Sequence, residues 1–227
     1  RNDAIITASF ANNNMVYIAP HNSVEDETSL TLGKKNSAQL ILSYSSNTYS
    51  TIQTEGKLIL EDNCEITDSK YCAIYVKQGD FAMQGGSIHG NTYEGDNIQS
   101  SAITFADPTG TANDHISGVF SGGKIYNNST KTNGGAIAIM ATDDNPGSVS
   151  VDIIEIYDNK ASGKGGGIYT KFSGLYIGAD KAVKAVKIYR NTASEGKSIY
   201  AEDSVVYYFI GETYQNPGAY DDDIQIL

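Results

Sequence analysis

The stretch Ile156-Tyr157-Asp158-Asn159-Lys160-Ala161-Ser162-Gly163-Lys164-Gly165-Gly166-Gly167-Ile168-Tyr169 decides the fold, because both of its halves recur. The first half, Ile-x-x-Asn, returns as Ile88-His89-Gly90-Asn91, Ile125-Tyr126-Asn127-Asn128 and Ile188-Tyr189-Arg190-Asn191, with Ile66-Thr67-Asp68-Ser69 as a degenerate copy. The second half, a small residue before Ile, returns as Ala73-Ile74-Tyr75, Ala102-Ile103-Thr104, Ala136-Ile137-Ala138 and Ser198-Ile199-Tyr200. Successive first-half isoleucines lie 22, 37, 31 and 32 residues apart. A repeat of that length is one structural unit stacked on copies of itself, with insertions absorbed in loops.

Each unit reads as strand. Lys57-Leu58-Ile59-Leu60, Phe81-Ala82-Met83 and Val151-Asp152-Ile153-Ile154-Glu155-Ile156 alternate or are β-branched, are bounded by Gly, Asn, Asp or Ser, and carry no 3.6-residue period. One unit of three short strands cannot bury its apolar face alone, but stacking equivalent strands makes a continuous interior. The expected fold is all-β: a single-stranded parallel β-helix, or β-solenoid, with capping ends. Residues 1–50 are expected to form an N-terminal cap or first irregular coils around the acidic turn Glu25-Asp26-Glu27, residues 51–204 the β-helix coils, and residues 205–227 a C-terminal cap or the stub of a longer solenoid.

In that geometry Ile66, Ile88, Ile125, Ile156 and Ile188 point inward. Asn91, Asn128, Asn159 and Asn191 turn back into the bend as an amide ladder that satisfies turn groups. Paired glycines at 85–86, 122–123, 134–135 and 165–167 are expected just before strands, where a bend needs positive φ or close backbone stacking. The same triplet is not a phosphate loop, since no helix and no Gly-Lys-Ser/Thr ending follows.

The Ile-x-x-Asn phrase followed by Gly-Gly-Ala-Ile (134–137) or Gly-Gly-Gly-Ile (165–168) resembles the FxxN and GGAI repeats of polymorphic outer-membrane proteins, within the wider group of bacterial β-helix surface passengers. The resemblance spans roughly residues 56–202, with Ile in place of the usual Phe and no membrane barrel. It implies a right-handed coil, an extracellular, secreted or cell-surface location, and an adhesin that attaches to a host or matrix glycan or protein.

Composition narrows the partners. The 227 residues hold 27 acidic and 16 basic side chains, a formal charge of −11. Nothing in that balance offers the positive field that nucleic acid or anionic lipid requires. No apolar stretch is long enough for a membrane helix, and the start lacks a secretory-signal pattern, so a soluble or processed extracellular piece without direct membrane insertion is expected.

The candidate binding residues are those that follow each inward Ile. Stacked on equivalent coils, His89, Tyr126, Tyr157 and Tyr189 would form an outward aromatic column, and Tyr169 and Tyr200 would occupy the matching outward position on the second strand. Aromatic faces with phenol hydroxyls suit a sugar ring or an extended peptide. The plainer reading is that like-on-like stacking merely stabilises the strands.

Two further readings stand beside the adhesion module. A β-helix polysaccharide lyase or glycoside hydrolase would need paired carboxylates or a base, for which Asp143, Asp144, Asp152 (or Asp180) and Arg190 with Lys187 are the candidates. A self-associating rod would pack the tyrosine column against a neighbour. The histidines His21, His89 and His115 have no nucleophile context. No cofactor is implied; calcium would find only Asp221–Asp223 as a weak site, since no Ca-loop motif occurs. Cys64 and Cys72 both point inward by alternation, and either a disulfide across the corner or two free thiols is expected.

Overall fold

The computed structural model describes residues 4–8, 13–20, 28–96, 102–106, 116–142, 147–178, 185–208, 213–215 and 218–226. His21, His115, Asp143, Asp144, Asp180 and the Glu25–Glu27 turn lie outside the described residues. All regular structure among the described residues is β-strand.

The alternation noted in the sequence sets each strand's buried face. In Lys57–Leu60 the buried residues are Leu58 and Leu60; in Cys64–Thr67 they are Cys64 and Ile66. Equivalent strands then lie side by side, parallel and in register, in three stacks. The first contains Ser29–Leu32, Lys57–Leu60, Gly147–Val151, Ser173–Ile177 and Val205–Tyr208. The second contains Ala4–Ala8, Leu40–Tyr44, Cys64–Thr67, Ile153–Tyr157 and Ala185–Tyr189. Two eleven-residue strands, Gly79–His89 and Ile116–Tyr126, run through both stacks and join them into one sheet. The third stack runs from Val16–Ile18 through Ile52–Thr54, Ile74–Val76, Ile103–Ala106, Ile137–Met140 and Ile168–Lys171 to Ile199–Glu202. Between the second and third stacks, Thr92–Tyr93, Ser129–Thr130 and Lys160–Ala161 form a small parallel sheet of their own.

Side chains from all three stacks enter one hydrophobic interior. Ile66, Ile88, Ile125, Ile156 and Ile188 are consecutive register partners and fully buried. The third stack supplies a second column, Ile52, Ile74, Ile103, Ile137, Ile168 and Ile199, equally buried. Phe81, Phe105 and Phe120 meet across the interior at centroid distances of 5.5 to 6.3 Å. Each such side chain is worth about 1.5–3 kcal/mol on removal from water, so the two isoleucine columns are the main cohesion between repeats.

The glycine pairs divide into two kinds. Gly134 and Gly165 have φ of 69° and 70°, and each is followed by a glycine whose β-carbon would strike the next repeat: Gly135 against Gly166 O at 2.3 Å, Gly166 against Lys197 O at 2.6 Å. These precede strands, as the sequence suggests. Gly85–Gly86 and Gly122–Gly123 do not. They lie inside the two long strands, where the register shifts between Phe120 and Lys124 and the chain bends from the first stack into the second. A continuous strand turns there through a bulge, a local irregularity that alternation does not reveal.

The last three strands reverse direction. Thr213–Gln215, Gly218–Tyr220 and Ile224–Ile226 pair antiparallel with Val205–Tyr208, Ile199–Glu202 and Ala185–Tyr189, one on each stack. At the other end, Ala4–Ala8 and Leu40–Tyr44 join the second stack with the same parallel pairing as the repeats that follow.

Candidate functional site

The residue before each bend asparagine, and Asp68 before the equivalent Ser69, is left-handed: Asp68, Gly90, Asn127, Asp158 and Arg190 have φ between 52° and 66°. That conformation turns the next side chain inward, and Asn91, Asn128, Asn159 and Asn191 are all buried. Each Nδ2 donates to the Oδ1 of the next rung, Asn91 to Asn128 at 2.9 Å, Asn128 to Asn159 at 2.9 Å and Asn159 to Asn191 at 3.0 Å. The same Oδ1 atoms accept the backbone N–H of Ser69, Asn91, Asn128 and Asn159. Every rung's Nδ2 also reaches the carbonyl of the preceding repeat's inward residue: Ile66, Ile88, Ile125 and Ile156. The ladder satisfies turn groups that would otherwise be buried without partners.

One residue before the left-handed position, on the outer face, stand His89, Tyr126, Tyr157 and Tyr189, all half-buried. Their rings stack at 4.6, 5.0 and 5.2 Å with interplanar angles of 15°, 1° and 13°. The span from first ring to last is about three strand spacings, roughly 15 Å. Burial raises the Tyr126 and Tyr157 phenols above their ordinary range, so both are neutral donors at physiological pH. Beside the rings runs a register column of alternating charge. Lys124 Nζ lies 3.5 Å from Glu155 and Lys187 Nζ lies 3.3 Å from it, while Glu65 holds His89 Nε2 at 2.9 Å.

The ring geometry changes what the column can do. Near-parallel rings at strand spacing cover one another's faces, so what meets solvent is edges and hydroxyls. The Arg190 guanidinium lies along the edges of the last two rings, 5.7 Å from the Tyr157 centroid and 4.9 Å from the Tyr189 centroid. Between rungs the rings cover one another, so along its length the column presents one imidazole edge and three phenol edges.

Arg190 itself is anchored. Its Nε and a terminal nitrogen reach the two Asp158 oxygens at 2.8 and 2.6 Å, holding that carboxyl below its usual range. Asp152 lies just before Ile153–Tyr157 and accepts a 2.8 Å hydrogen bond from Ser150 Oγ. Arg190 lies just past the far end of the neighbouring strand, so about six residues of strand, roughly 20 Å, separate the two. The structure does not bring this candidate pair together, and Lys187 is engaged with Glu155.

Tyr169 departs from expectation. It faces outward but is only 4% exposed. The loop with left-handed Gly165 folds back over its own strand, so that a β-carbon on Gly165 would stand 2.8 Å from Tyr169 Cα. Tyr169 donates to Glu202 Oε2 at 2.8 Å, Glu202 pairs with Lys171 at 2.6 Å, and Lys164 Nζ meets Tyr200 Oη at 2.7 Å. Tyr169 and Tyr200 stack at 6.2 Å inside this polar cluster rather than forming an open ladder.

Cys64 and Cys72 are buried thiols that form no disulfide; Cys64 opens a strand of the second stack, and Cys72 precedes a strand of the third, its Sγ pointing to Ile74 O at 2.9 Å. Of the Asp221–Asp223 run, Asp221 and Asp223 accept the backbone N–H of Lys197 and Arg190 at 3.0 Å each. Among the described residues, no three His, Cys, Asp or Glu converge as a metal-binding set.

A further aromatic pair went unread in the sequence. Tyr176 and Tyr207 stack at 4.7 Å and 6° on the outer face of the first stack. Their signal was the spacing of 31 residues, the same as between Tyr169 and Tyr200.

Comparison with protein-family models, with curated proteins and with solved structures returns no match.

Proposed function

We propose that this chain is a right-handed parallel β-helix that serves as an exported or surface-displayed binding and adhesion module of a bacterium, recognising a host or matrix glycan or protein along the second stack's outer face. The observation that carries this reading is the stacked column His89–Tyr126–Tyr157–Tyr189, which offers neutral hydroxyls at the period of the strands beside alternating charges. An extended polysaccharide advances about one sugar per strand spacing, so one rung can meet one sugar. The repeat phrases shared with polymorphic outer-membrane proteins support the surface location. The antiparallel strands at the C-terminal end fit a cap over the edge of the last repeat.

The test is retention of a panel of soluble polysaccharides and matrix proteins on the immobilised chain, with new reducing or unsaturated ends recorded together. Tyr126→Phe, Tyr157→Phe and Tyr189→Phe combined keep the stack and remove three hydroxyls, each worth about 0.5–1.5 kcal/mol. Retention falls by about tenfold or more while stability holds. Unchanged retention per folded molecule overturns the reading, and so do new chain ends, which would make the protein a polysaccharide-cleaving enzyme. Concentration-dependent sedimentation without retention would mark a self-associating rod instead.

A further inference from the structure

On the outer face of the first stack, Tyr176 and Tyr207 border an open groove of about 420 Å³. Its floor is small: Ser148 and Gly174 are register partners, and a β-carbon on Gly174 would stand 2.9 Å from the Tyr176 ring. The opposite wall is built by Phe172 and Asp203, each at a corner between the third and first stacks with φ of 52° and 46°. Glycine adopts that conformation without strain. A phenylalanine and an aspartate stand there instead, and both residues line the groove. Thr142 also lines it, and its Oγ1 is the one buried side-chain oxygen or nitrogen among the described residues without a hydrogen-bond partner.

Beneath Tyr176 in register stands Ser150, not another aromatic, so the pair ends there in a face that no ring covers. A ring face beside small floor residues, hydroxyls and one carboxylate, with no basic side chain in the lining, is the chemistry that takes a neutral polyhydroxylated ring. A pyranose offers an axial C–H face to the tyrosine and equatorial hydroxyls to Asp203 and Ser148. Anionic sugars meet the Asp203 carboxylate, and Lys171, which senses Asp203, is itself paired with Glu202 at 2.6 Å. We infer that this groove is a second binding site, for neutral pyranose units of an oligosaccharide, separate from the four-ring column.

The experiment titrates the full chain with the hexamers of β-1,4-glucose, β-1,4-mannose and β-1,4-xylose, and with a galacturonate hexamer, up to about 1 mM, following tyrosine ring resonances by NMR. At least one neutral hexamer binds, and the uronate does not. Tyr176→Ser, which removes the platform, and Ser148→Tyr, which fills the floor, each weaken binding about tenfold or more. The triple phenylalanine variant of the column leaves it unchanged. Binding of no neutral hexamer, equal binding of the uronate, or binding insensitive to both groove variants overturns the site. Loss through the column variant alone would assign the sugar to the column, so this inference and the adhesion reading fail separately.

Discussion

Replacing Asn159 by alanine tests the amide ladder at one of its two most connected rungs. Asn159 Oδ1 accepts Asn128 N at 3.1 Å and Asn128 Nδ2 at 2.9 Å, and its Nδ2 reaches Ile125 O, Tyr157 O and Asn191 Oδ1, each at 3.0 Å. Truncation leaves the Asn128 N–H and the Ile125 carbonyl short of partners in a dry bend. Two to three orphaned groups at about 1–3 kcal/mol each cost about 3–6 kcal/mol, a large share of a typical total of about 5–15 kcal/mol. With a urea dependence near 3 kcal/mol per molar for a chain of this size, the midpoint falls by about 1–2 M. Asn91→Ala should cost about half as much, since Asn91 Oδ1 accepts only Ser69 N and its Nδ2 bond to Ile66 O is 3.3 Å long. Asn159→Asp separates acceptor from donor. The carboxylate keeps both incoming N–H groups but faces the Ile125 and Tyr157 carbonyls and the Asn191 Oδ1 as a buried anion. Its folded pKa is thereby raised above the unfolded value of about 3.9. The variant is therefore most stable at acid pH and loses stability as pH rises through the folded pKa. Urea unfolding followed by far-ultraviolet circular dichroism at several pH values reads both effects. A midpoint shift below about 0.3 M for Asn159→Ala, or one equal to that of Asn91→Ala, would refute the claim that the ladder closes the bends.

Gly165→Ala should cost more than about 2 kcal/mol, because φ is 70° and the new β-carbon meets Ile168 O at 2.4 Å; Gly147→Ala, whose β-carbon finds nothing nearer than 3.3 Å, should stay within about 1 kcal/mol by thermal melt. Burial, with Glu202 beside it, holds the Tyr169 phenol above its ordinary range; that stabilisation is complete below the unfolded tyrosine pKa and lost as pH rises through the folded one. In an alkaline titration at 295 nm, Tyr169→Phe should leave the early tyrosinate signal unchanged and delete part of the late one, and loss from the early signal would refute the assignment. Burial pushes the Cys64 thiol up to about 12, so neither it nor the buried Cys72 should alkylate at pH 8 in the folded chain, and both should in urea without reductant. One bridge per chain, shown by mass, would refute the free-thiol state.

Much of the architecture was legible because stacking repeats the same physical demand in every unit. An inward Ile at one position and an Asn after a left-handed residue at another recur since each rung needs them, and the register places those positions side by side as the repeat phrases suggest. The bulges at Gly85–Gly86 and Gly122–Gly123 were not legible, because a glycine pair inside a strand and one before a strand look the same without pairing partners. Ile52 also belongs to the third column, yet Thr51-Ile52-Gln53 lacks the small residue that marks the other copies. The candidate site was legible as a column but not as a surface. Outward direction follows from alternation, whereas the cover over Tyr169 depends on where the Gly165 loop folds, and the loss of ring faces in the column depends on ring tilt.

The same logic separates the residues that stacking explains from those it does not. A position that repeats from rung to rung is explained by its neighbours above and below: Ile by the interior, Asn by the bend, Tyr by the ring beneath it. Stacking gives no such account of a residue that breaks its column at a conformational cost. Arg190 occupies a left-handed position where Gly90 or Asn127 stands elsewhere, and turns its guanidinium onto Asp158 and the Tyr189 ring. Phe172 and Asp203 hold left-handed corners without glycine and wall the groove beside Tyr176. Arg190 lies along the Tyr157 and Tyr189 edges of the long column, whereas the short pair borders the groove. Under the proposed reading the two aromatic stacks offer different surfaces on one scaffold, the long one a row of ring edges for an extended partner and the short one a tyrosine beside a groove for one sugar.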